Sequence, residues 1–216
     1  MKTMADYFNE EAVKHDDFFV GKLGMTEFYD ELEHQIDTCN NKNNILVLGC
    51  GTGLEIERIK CSTYVTAIDI AEKMLVELKK KALYKGLFLT TICGSLLDLN
   101  FGHHTYDLVL SCYVMHHFNE EQKITIYEKI FNCLTDNGVF IHGDSMEKNY
   151  EDEQLRYKEA ENIYIENNLP FASLHIDIPF CIEHEISVLN KVGFNDIVIE
   201  KEWSRTKLYR ATKRME

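Results

Sequence analysis

The chain has 216 residues, of which 45% are hydrophobic and 27% are charged, and its formal net charge is −13. This length suits one domain with a full hydrophobic core, and only 2 prolines and 11 glycines exclude long disordered linkers, so we predict a single domain over residues 1–216. The acidic balance argues against a nucleic-acid partner, which needs a basic patch, because the short basic stretch at 205–214 is more typical of a solvated edge strand.

Apolar runs typical of buried strands alternate with amphipathic helical patterns along the chain. The strand patterns lie at 45–48, 63–70, 87–93, 106–110 and 139–142. Between them, apolar residues recur at helical spacing from Ala71 to Ala82 and from Ile124 to Leu134. Asn119 followed by Gln122 predicts a capping box at the start of the second of these helices.

The end of the chain predicts a last helix over 182–192, with Gly193 at its C-terminus, and then strands at 197–199 and 207–211. Two strands so close in sequence pair as an antiparallel hairpin. We therefore predict an α/β fold with a Rossmann-like, seven-stranded, mostly parallel sheet, an antiparallel edge hairpin and helices on both faces.

Two segments fall outside this alternation: residues 4–38, helical and rich in aromatic residues, and residues 147–180, charged at first and apolar again near Leu169-Pro170-Phe171. Elements beside the carboxyl ends of strands commonly cover ligands. We interpret both segments as a helical cap, with structural decoration as the alternative. The domain then comprises the 4–38 cap, a cofactor-binding core at 40–146, the 147–180 cap insertion, and a terminal helix and hairpin at 181–216.

A glycine-rich loop, Gly49-Cys50-Gly51-Thr52-Gly53, follows the first strand, and we expect it to open a helix. Asp69 ends the second strand, where its carboxylate can accept hydrogen bonds from both ribose hydroxyls of an adenosine; the alternative is a helix cap. Leu54 and Glu55 stand where a dinucleotide loop has its third glycine. A sulfonium cofactor has no pyrophosphate for the loop to admit, and its positive charge suits an acidic loop. The loop therefore favours such a cofactor over NAD.

The segment from Val47 to Gly53 resembles motif I of the class I S-adenosylmethionine-dependent methyltransferases, and Asp69 matches their acidic residue at the end of the second strand. The stretch 106–111 with His116-His117-Phe118 resembles their fourth strand and following loop, and 189–194 resembles the stretch before their terminal hairpin. The resemblance covers roughly residues 40–213. Small-molecule methyltransferases and certain tRNA wobble-uridine enzymes are the nearest subgroups.

The resemblance implies a transferase that uses S-adenosyl-L-methionine, forms S-adenosyl-L-homocysteine and methylates an O, N or C nucleophile of a small molecule. The cofactor-binding residues that it implies are Gly49, Cys50, Gly51, Gly53, Asp69, Ile70, Met74, Gly94, Ser95, Leu96, Ser111 and Cys112. Ser95 stands where the family often has an aspartate, and its hydroxyl can accept the same hydrogen bond from adenine.

His116, His117 and Tyr113 are candidate catalytic bases, with Asp144 also at a strand end on the cofactor side. Adjacent residues in a loop point in different directions, so we expect one of the two histidines to face the site; the alternative is that both are structural. His103-His104 is predicted to be solvated, and no metal-ligand spacing such as H-E-x-x-H occurs.

Three other functions stay open: a tRNA-modifying methyl or carboxymethyl transferase of the same fold, an NAD-dependent oxidoreductase, and a non-catalytic cofactor- or partner-binding protein. Seven cysteines without a C-x-x-C pair, set in apolar runs, predict reduced thiols that act as small hydrophobic residues. No signal-peptide pattern or bilayer-spanning apolar run occurs, so we expect a cytoplasmic protein without membrane association. The oligomeric state is left open.

Overall fold

The computed structural model describes residues 2–81 and 83–214. Ala82, the last residue of the first helical pattern, lies outside the described residues. Within those ranges, no helix is both long and apolar enough to cross a bilayer.

The helices and strands follow the predicted alternation. In chain order they are α1 (Met4–Glu11), α2 (Thr26–Thr38), β1 (Asn44–Leu48), β2 (Thr63–Asp69), α3 (Glu72–Lys80), β3 (Leu87–Cys93), β4 (Tyr106–Cys112), α4 (Glu120–Cys133), β5 (Leu134–Ser145), α5 (Tyr150–Asn167), α6 (Ile182–Val192), β6 (Asp196–Glu202) and β7 (Thr206–Thr212). Single helical turns lie at Ala12–Lys14, Asp17–Lys22, Ile56–Arg58 and Met115–His117.

The seven strands form one sheet in the order β3-β2-β1-β4-β5-β7-β6. Neighbouring strands from β3 through β5 are parallel, and β7 is antiparallel to both β5 and β6. The predicted fold class is confirmed, with the hairpin at one edge of the sheet. The strand order reverses between β1 and β4, and in open α/β sheets ligands bind at such a switch point.

Burial of β1 explains why it is continuously apolar. Leu46 and Leu48 pack on one face of the sheet with α4 and α6, whereas Ile45 and Val47 pack on the other face with α2 and α3. Side chains alternate between the two faces of a strand, so a strand covered by helices on both sides must be apolar at every position.

The segment after β1 does not form the predicted α-helix. Residues 54–62 are all that remain between the glycine-rich loop and β2, and they hold a single helical turn at Ile56–Arg58. Ile56 and Ile59 are fully buried, so this short crossover packs its apolar side chains without room for a longer helix. The expected helix macrodipole at the loop is therefore missing.

Other local features refine the predictions. The capping box of Asn119 and Gln122 is confirmed, with both reciprocal hydrogen bonds present. Strand β5 begins at Leu134 and not at Val139 as predicted. The helix before it therefore ends at Cys133, one residue before the predicted end at Leu134. All seven cysteines are free, as predicted. Cys93 is exposed, so the prediction that the cysteines act as small hydrophobic residues does not hold for it.

Candidate active site

A cavity of about 400 Å³ lies at the carboxyl ends of β1 to β4, across the switch point between β1 and β4. Its lining contains most of the residues expected to bind the cofactor: Gly49, Cys50, Gly51, Asp69, Ile70, Met74, Gly94, Ser95, Leu96 and Cys112. Gly53 and Ser111 are not part of the lining. A volume of this size is that of a small-molecule site.

The glycine-rich loop forms one wall through its backbone. Gly49 has φ +60°, and a Cβ there would lie 2.3 Å from Cγ2 of Val114, so only glycine fits without displacing that side chain. Gly53 has φ +85°, and its Cβ would lie 2.3 Å from Leu78 of α3. Gly53 is thus required for packing of the loop on α3, which explains why it does not line the cavity.

Asp69 lies at the end of β2 and is 7% exposed. Its two carboxylate oxygens accept hydrogen bonds from the backbone N–H of Gly51 at 2.7 Å and of Ala71 at 2.8 Å. Burial raises the pKa of Asp69, although these two hydrogen bonds act in the opposite direction. Each oxygen keeps a second acceptor site, as binding a pair of ribose hydroxyls requires.

Asp69 is not the N-cap of α3, which was the alternative role predicted for it. The N-cap residue of α3 is Ala71, and no side chain caps that helix. The carboxylate instead joins the glycine-rich loop to the turn before α3.

Glu55 is a buried carboxyl group in the cavity wall that was not predicted as a site residue. It is 6% exposed, and burial raises its pKa to about 8. The sequence identifies Glu55 only as an acidic residue where a dinucleotide loop has its third glycine, a feature that favours a cationic cofactor, and nothing in the local pattern indicates that its side chain is buried.

The opposite wall comes from segments outside the sheet. Met4, Phe8, His15, Phe19 and Tyr29 contribute from the N-terminal helical segment, and residues 170–173 contribute from the loop after α5. The two segments are joined where the backbone N–H of Met4 donates to the carbonyl of Ser173 at 2.9 Å.

A polar contact ties the N-terminal segment to the glycine-rich loop. The buried hydroxyl of Thr52 donates to the carboxylate of Asp16 and lies 3.2 Å from Nδ1 of His15. Lys81 lies 2.7 Å from the same carboxylate. Burial alone would raise the pKa of Asp16, but hydrogen bonds from His15, Lys81 and Thr52 hold it below its ordinary value.

Tyr113 lies directly after β4 in a left-handed conformation, with φ +57°. Its side chain lines the cavity, and its hydroxyl lies 2.9 Å from Oγ1 of Thr206. Burial raises the pKa of Tyr113, so the phenol stays protonated at neutral pH. A protonated phenol can position a substrate by donating a hydrogen bond.

The two adjacent histidines point in different directions. His117 lines the cavity, whereas His116 is outside the lining and its Nδ1 contacts the carboxylate of Asp144. Burial would raise the pKa of Asp144, but the charge of His116 and their hydrogen bond hold it low. Burial lowers the pKa of His117, so its imidazole is neutral at neutral pH.

The second histidine pair has the surroundings expected for it. His103 and His104 are exposed and precede β4. They lie at the end of the sheet opposite the cavity.

Comparison with known proteins is consistent with this geometry. Residues 45–138 match the sequence model of a family described as a methyltransferase domain. A curated relative, carboxy-S-adenosyl-L-methionine synthase of Helicobacter hepaticus, is 26% identical over 170 residues, which cover 72% of this chain and 70% of that protein.

Solved structures share the fold at low sequence identity. A structure assigned as an O-methyltransferase from Nostoc punctiforme matches with a TM-score of 0.73 at 17% identity, covering 99% of this chain and 62% of that one, so this chain spans less than two thirds of that protein. DhpI in complex with S-adenosylhomocysteine matches with a TM-score of 0.75 at 14% identity, covering 98% of this chain and 96% of that one.

Proposed function

We propose that this chain, a class I S-adenosylmethionine-dependent methyltransferase, methylates an uncharged or cationic small molecule at an O, N or C atom. The observation that carries the proposal is the enclosure of one small cavity between the sheet and two segments rich in apolar side chains. Family membership decides against the NAD-dependent oxidoreductase.

The sheet side of the cavity is the proposed cofactor half. Gly49, Gly51 and Asp69 would hold the methionine and ribose parts, with Ile70 and Met74 beside the adenine. The fit rests on a backbone cradle that a Cβ at Gly49 would fill and on the free acceptor sites of Asp69. When bound, the cofactor supplies a methyl group attached to a positively charged sulfur, which is a good leaving group.

The opposite side is the proposed acceptor half. We assign residues 4–38 and 147–180 as a cap whose aromatic side chains, among them Phe8, Phe19 and Phe171, exclude water from the cavity. The chain's task is then to orient the acceptor and keep the reaction dry, since the leaving group is already activated. The phenol O–H of Tyr113 would donate a hydrogen bond to the acceptor and so position it.

The charge of the lining supports the acceptor class. Among residues 2–81 and 83–214, the lining contains the acidic residues Asp69 and Asp98 and the carboxyl group of Glu55, which its raised pKa keeps mostly neutral, but no lysine or arginine. The cofactor brings its own α-ammonium beside its α-carboxylate, whereas a further carboxylate or phosphate on the acceptor would have no strong cationic partner in the lining, which is costly. This argues against a carboxylated ligand of the kind named in the Helicobacter relative and against the phosphate backbone of a tRNA.

The proposal is tested by measuring S-adenosylhomocysteine released from the methyl donor with three acceptor panels: neutral or cationic small molecules, carboxylated small molecules, and bulk tRNA. We expect turnover with the first panel only. Asp69→Ala should abolish it, and Asp37→Ala, which removes an exposed carboxylate far from the cavity, should not. Turnover on tRNA or on carboxylated acceptors alone would contradict the proposed substrate class.

A further inference from the structure

Three potential metal ligands converge at the cavity wall formed by His117. Ligand atoms of His116, His117 and Asp177 all lie within 4.8 Å of one another. Oδ1 of Asp177 is 3.4 Å from Nδ1 of His117 and 3.6 Å from Nε2 of His116. Ligand atoms around a tetrahedral zinc ion with bonds of about 2.0–2.1 Å are roughly 3.3 Å apart, so these separations nearly match a site closed on an ion.

Nδ1 of His117 is a buried polar atom without a hydrogen-bond partner. The residue is only 4% exposed, and this Nδ1 lies 3.4 Å from Oδ1 of Asp177 without forming a hydrogen bond to it. In the tautomer protonated at Nε2, Nδ1 presents a lone pair to the Asp177 carboxylate. A cation between the two would turn this unfavourable contact into a favourable one.

His116 is oriented as a metal-binding histidine usually is. Its Nδ1 contacts Asp144, and its backbone N–H donates to the other oxygen of the same carboxylate at 3.1 Å. The backbone N–H of Ile178 donates to the carbonyl of His116 at 2.6 Å, which holds the Asp177 segment against it. A carboxylate on one ring nitrogen fixes the ring and leaves the other nitrogen, Nε2, for the ion.

We propose that His116, His117 and Asp177 bind one divalent transition-metal ion of the zinc class. Two imidazoles and one carboxylate favour such an ion over magnesium or calcium, which prefer sets composed of oxygen ligands. Three protein ligands also leave one coordination position open, as catalytic zinc sites do. His175 lies 3.8 Å from Asp177 but stacks on Tyr7, so it is a neighbour of the site and not a ligand.

The role that we give to the open coordination position rests on the proposed acceptor half of the cavity. His117 lines the cavity, whereas His116 and Asp177 lie outside its lining, so an ion on the three would lie in the cavity wall. There it would favour the deprotonated form of an acceptor hydroxyl, thiol or amine that reaches it. The sequence did not indicate this site, because its ligands come from one dipeptide and a residue sixty positions later, outside any known metal-ligand spacing.

The test is a titration of chelator-treated, reduced protein with Zn²⁺ alone, followed by calorimetry, and with Co²⁺, followed by visible absorption. We expect one ion per chain, bound at least tenfold more weakly by Asp177→Asn and at least a hundredfold more weakly by His117→Ala. His103→Ala is the matched control, because it alters the other adjacent histidine pair, which is exposed. It should bind like the wild type.

Equal binding by the wild type and His117→Ala, or loss of binding in His103→Ala, would overturn the metal site. Asp177 is half exposed, so its substitution is unlike a core mutation and keeps the test independent of folding. S-Adenosylhomocysteine binding is measured on the same samples. Cofactor binding without metal binding refutes only the metal site, whereas metal binding without cofactor binding refutes the proposed methyl transfer.

Discussion

The two walls of the cavity are built in different ways. The sheet wall is made largely of backbone: Gly49 at positive φ after the covered strand β1, and Asp69 fixed by two main-chain donors at the end of β2. The opposite wall is made of side chains, such as Phe8 on α1 and Phe19 on the turn Asp17–Lys22. Backbone cradles tolerate few substitutions, whereas side-chain walls can be altered one contact at a time. We infer that the first wall sets the cofactor and the second sets the acceptor.

Ionisation of Glu55 gives the largest expected effect on the sheet wall. Its pKa rises from 4.5 to about 8 on folding, so its contribution to stability is fully present below pH 4.5 and is lost between pH 4.5 and 8. Since one pKa unit corresponds to about 1.4 kcal/mol, the loss is on the order of 5 kcal/mol.

Glu55→Gln cannot ionise and should remove this dependence. The free energy of unfolding of the variant, measured by urea denaturation from pH 5 to pH 9, should rise relative to that of the wild type as the pH increases. A constant difference between the two proteins would show that the buried carboxyl does not titrate in this window.

A side chain at Gly49 should damage the backbone cradle itself. The Cβ of Gly49→Ala would lie 2.3 Å from Val114 at a strained φ, which we expect to cost about 2–3 kcal/mol and to weaken S-adenosylhomocysteine binding roughly a hundredfold. Gly24→Ala is the matched control: its φ is also positive, at +66°, but nothing lies within 4 Å of its Cβ and it does not line the cavity. Binding measured by calorimetry should fall much less there; equal losses would refute the close-packing argument.

Removing an aromatic side chain from the opposite wall should affect the acceptor and spare the cofactor. For Phe8→Ala we expect the KM for the acceptor to rise about tenfold, because its ring, which lies 5.7 Å from that of His117, no longer covers the cavity. Affinity for S-adenosylhomocysteine should change less than about threefold. Phe18→Ala removes an aromatic ring of the same segment that does not line the cavity, and its steady-state kinetics should match the wild type.

The contact between the two walls should have the smallest effect. Thr52→Val removes the hydroxyl that donates to Asp16, and we expect it to lower the free energy of unfolding by about 1 kcal/mol. Thr63→Val, at another buried threonine whose hydroxyl makes only a 3.4 Å contact, is the control in the same denaturation experiment. A larger loss at Thr63 would mean that the Thr52 contact does not join the walls.

The same contrast explains how far the sequence could be interpreted. Gly49 and Asp69 were predictable because local backbone demands leave signals at fixed positions: a glycine where φ is positive and a carboxylate where a strand ends. Glu55, His15 and Asp16 were not, because the burial of Glu55 and the contacts of His15 and Asp16 with Thr52 depend on segments distant in sequence. The helix expected after Gly53 was wrong for a related reason, since the position of β2 limits the length of that crossover.

The orientation of adjacent side chains was also beyond the sequence. It predicted that His116 and His117 would differ but not which of them faces the cavity, because that depends on the helical turn Met115–His117 and on the Asp144 carboxylate beside it. The convergence of Asp177 on both rings depends on the path of the chain after α5.

The central claim is that the sheet wall binds the adenosyl cofactor through Asp69, and titration calorimetry with S-adenosylhomocysteine tests it most directly. We predict micromolar binding to the wild type and to Asp37→Ala, no comparable binding of NADH, and a loss of about a hundredfold or more in Asp69→Ala, since a buried carboxylate contributes two charge-assisted hydrogen bonds. Undiminished binding by Asp69→Ala, or a preference for NADH, would contradict the account.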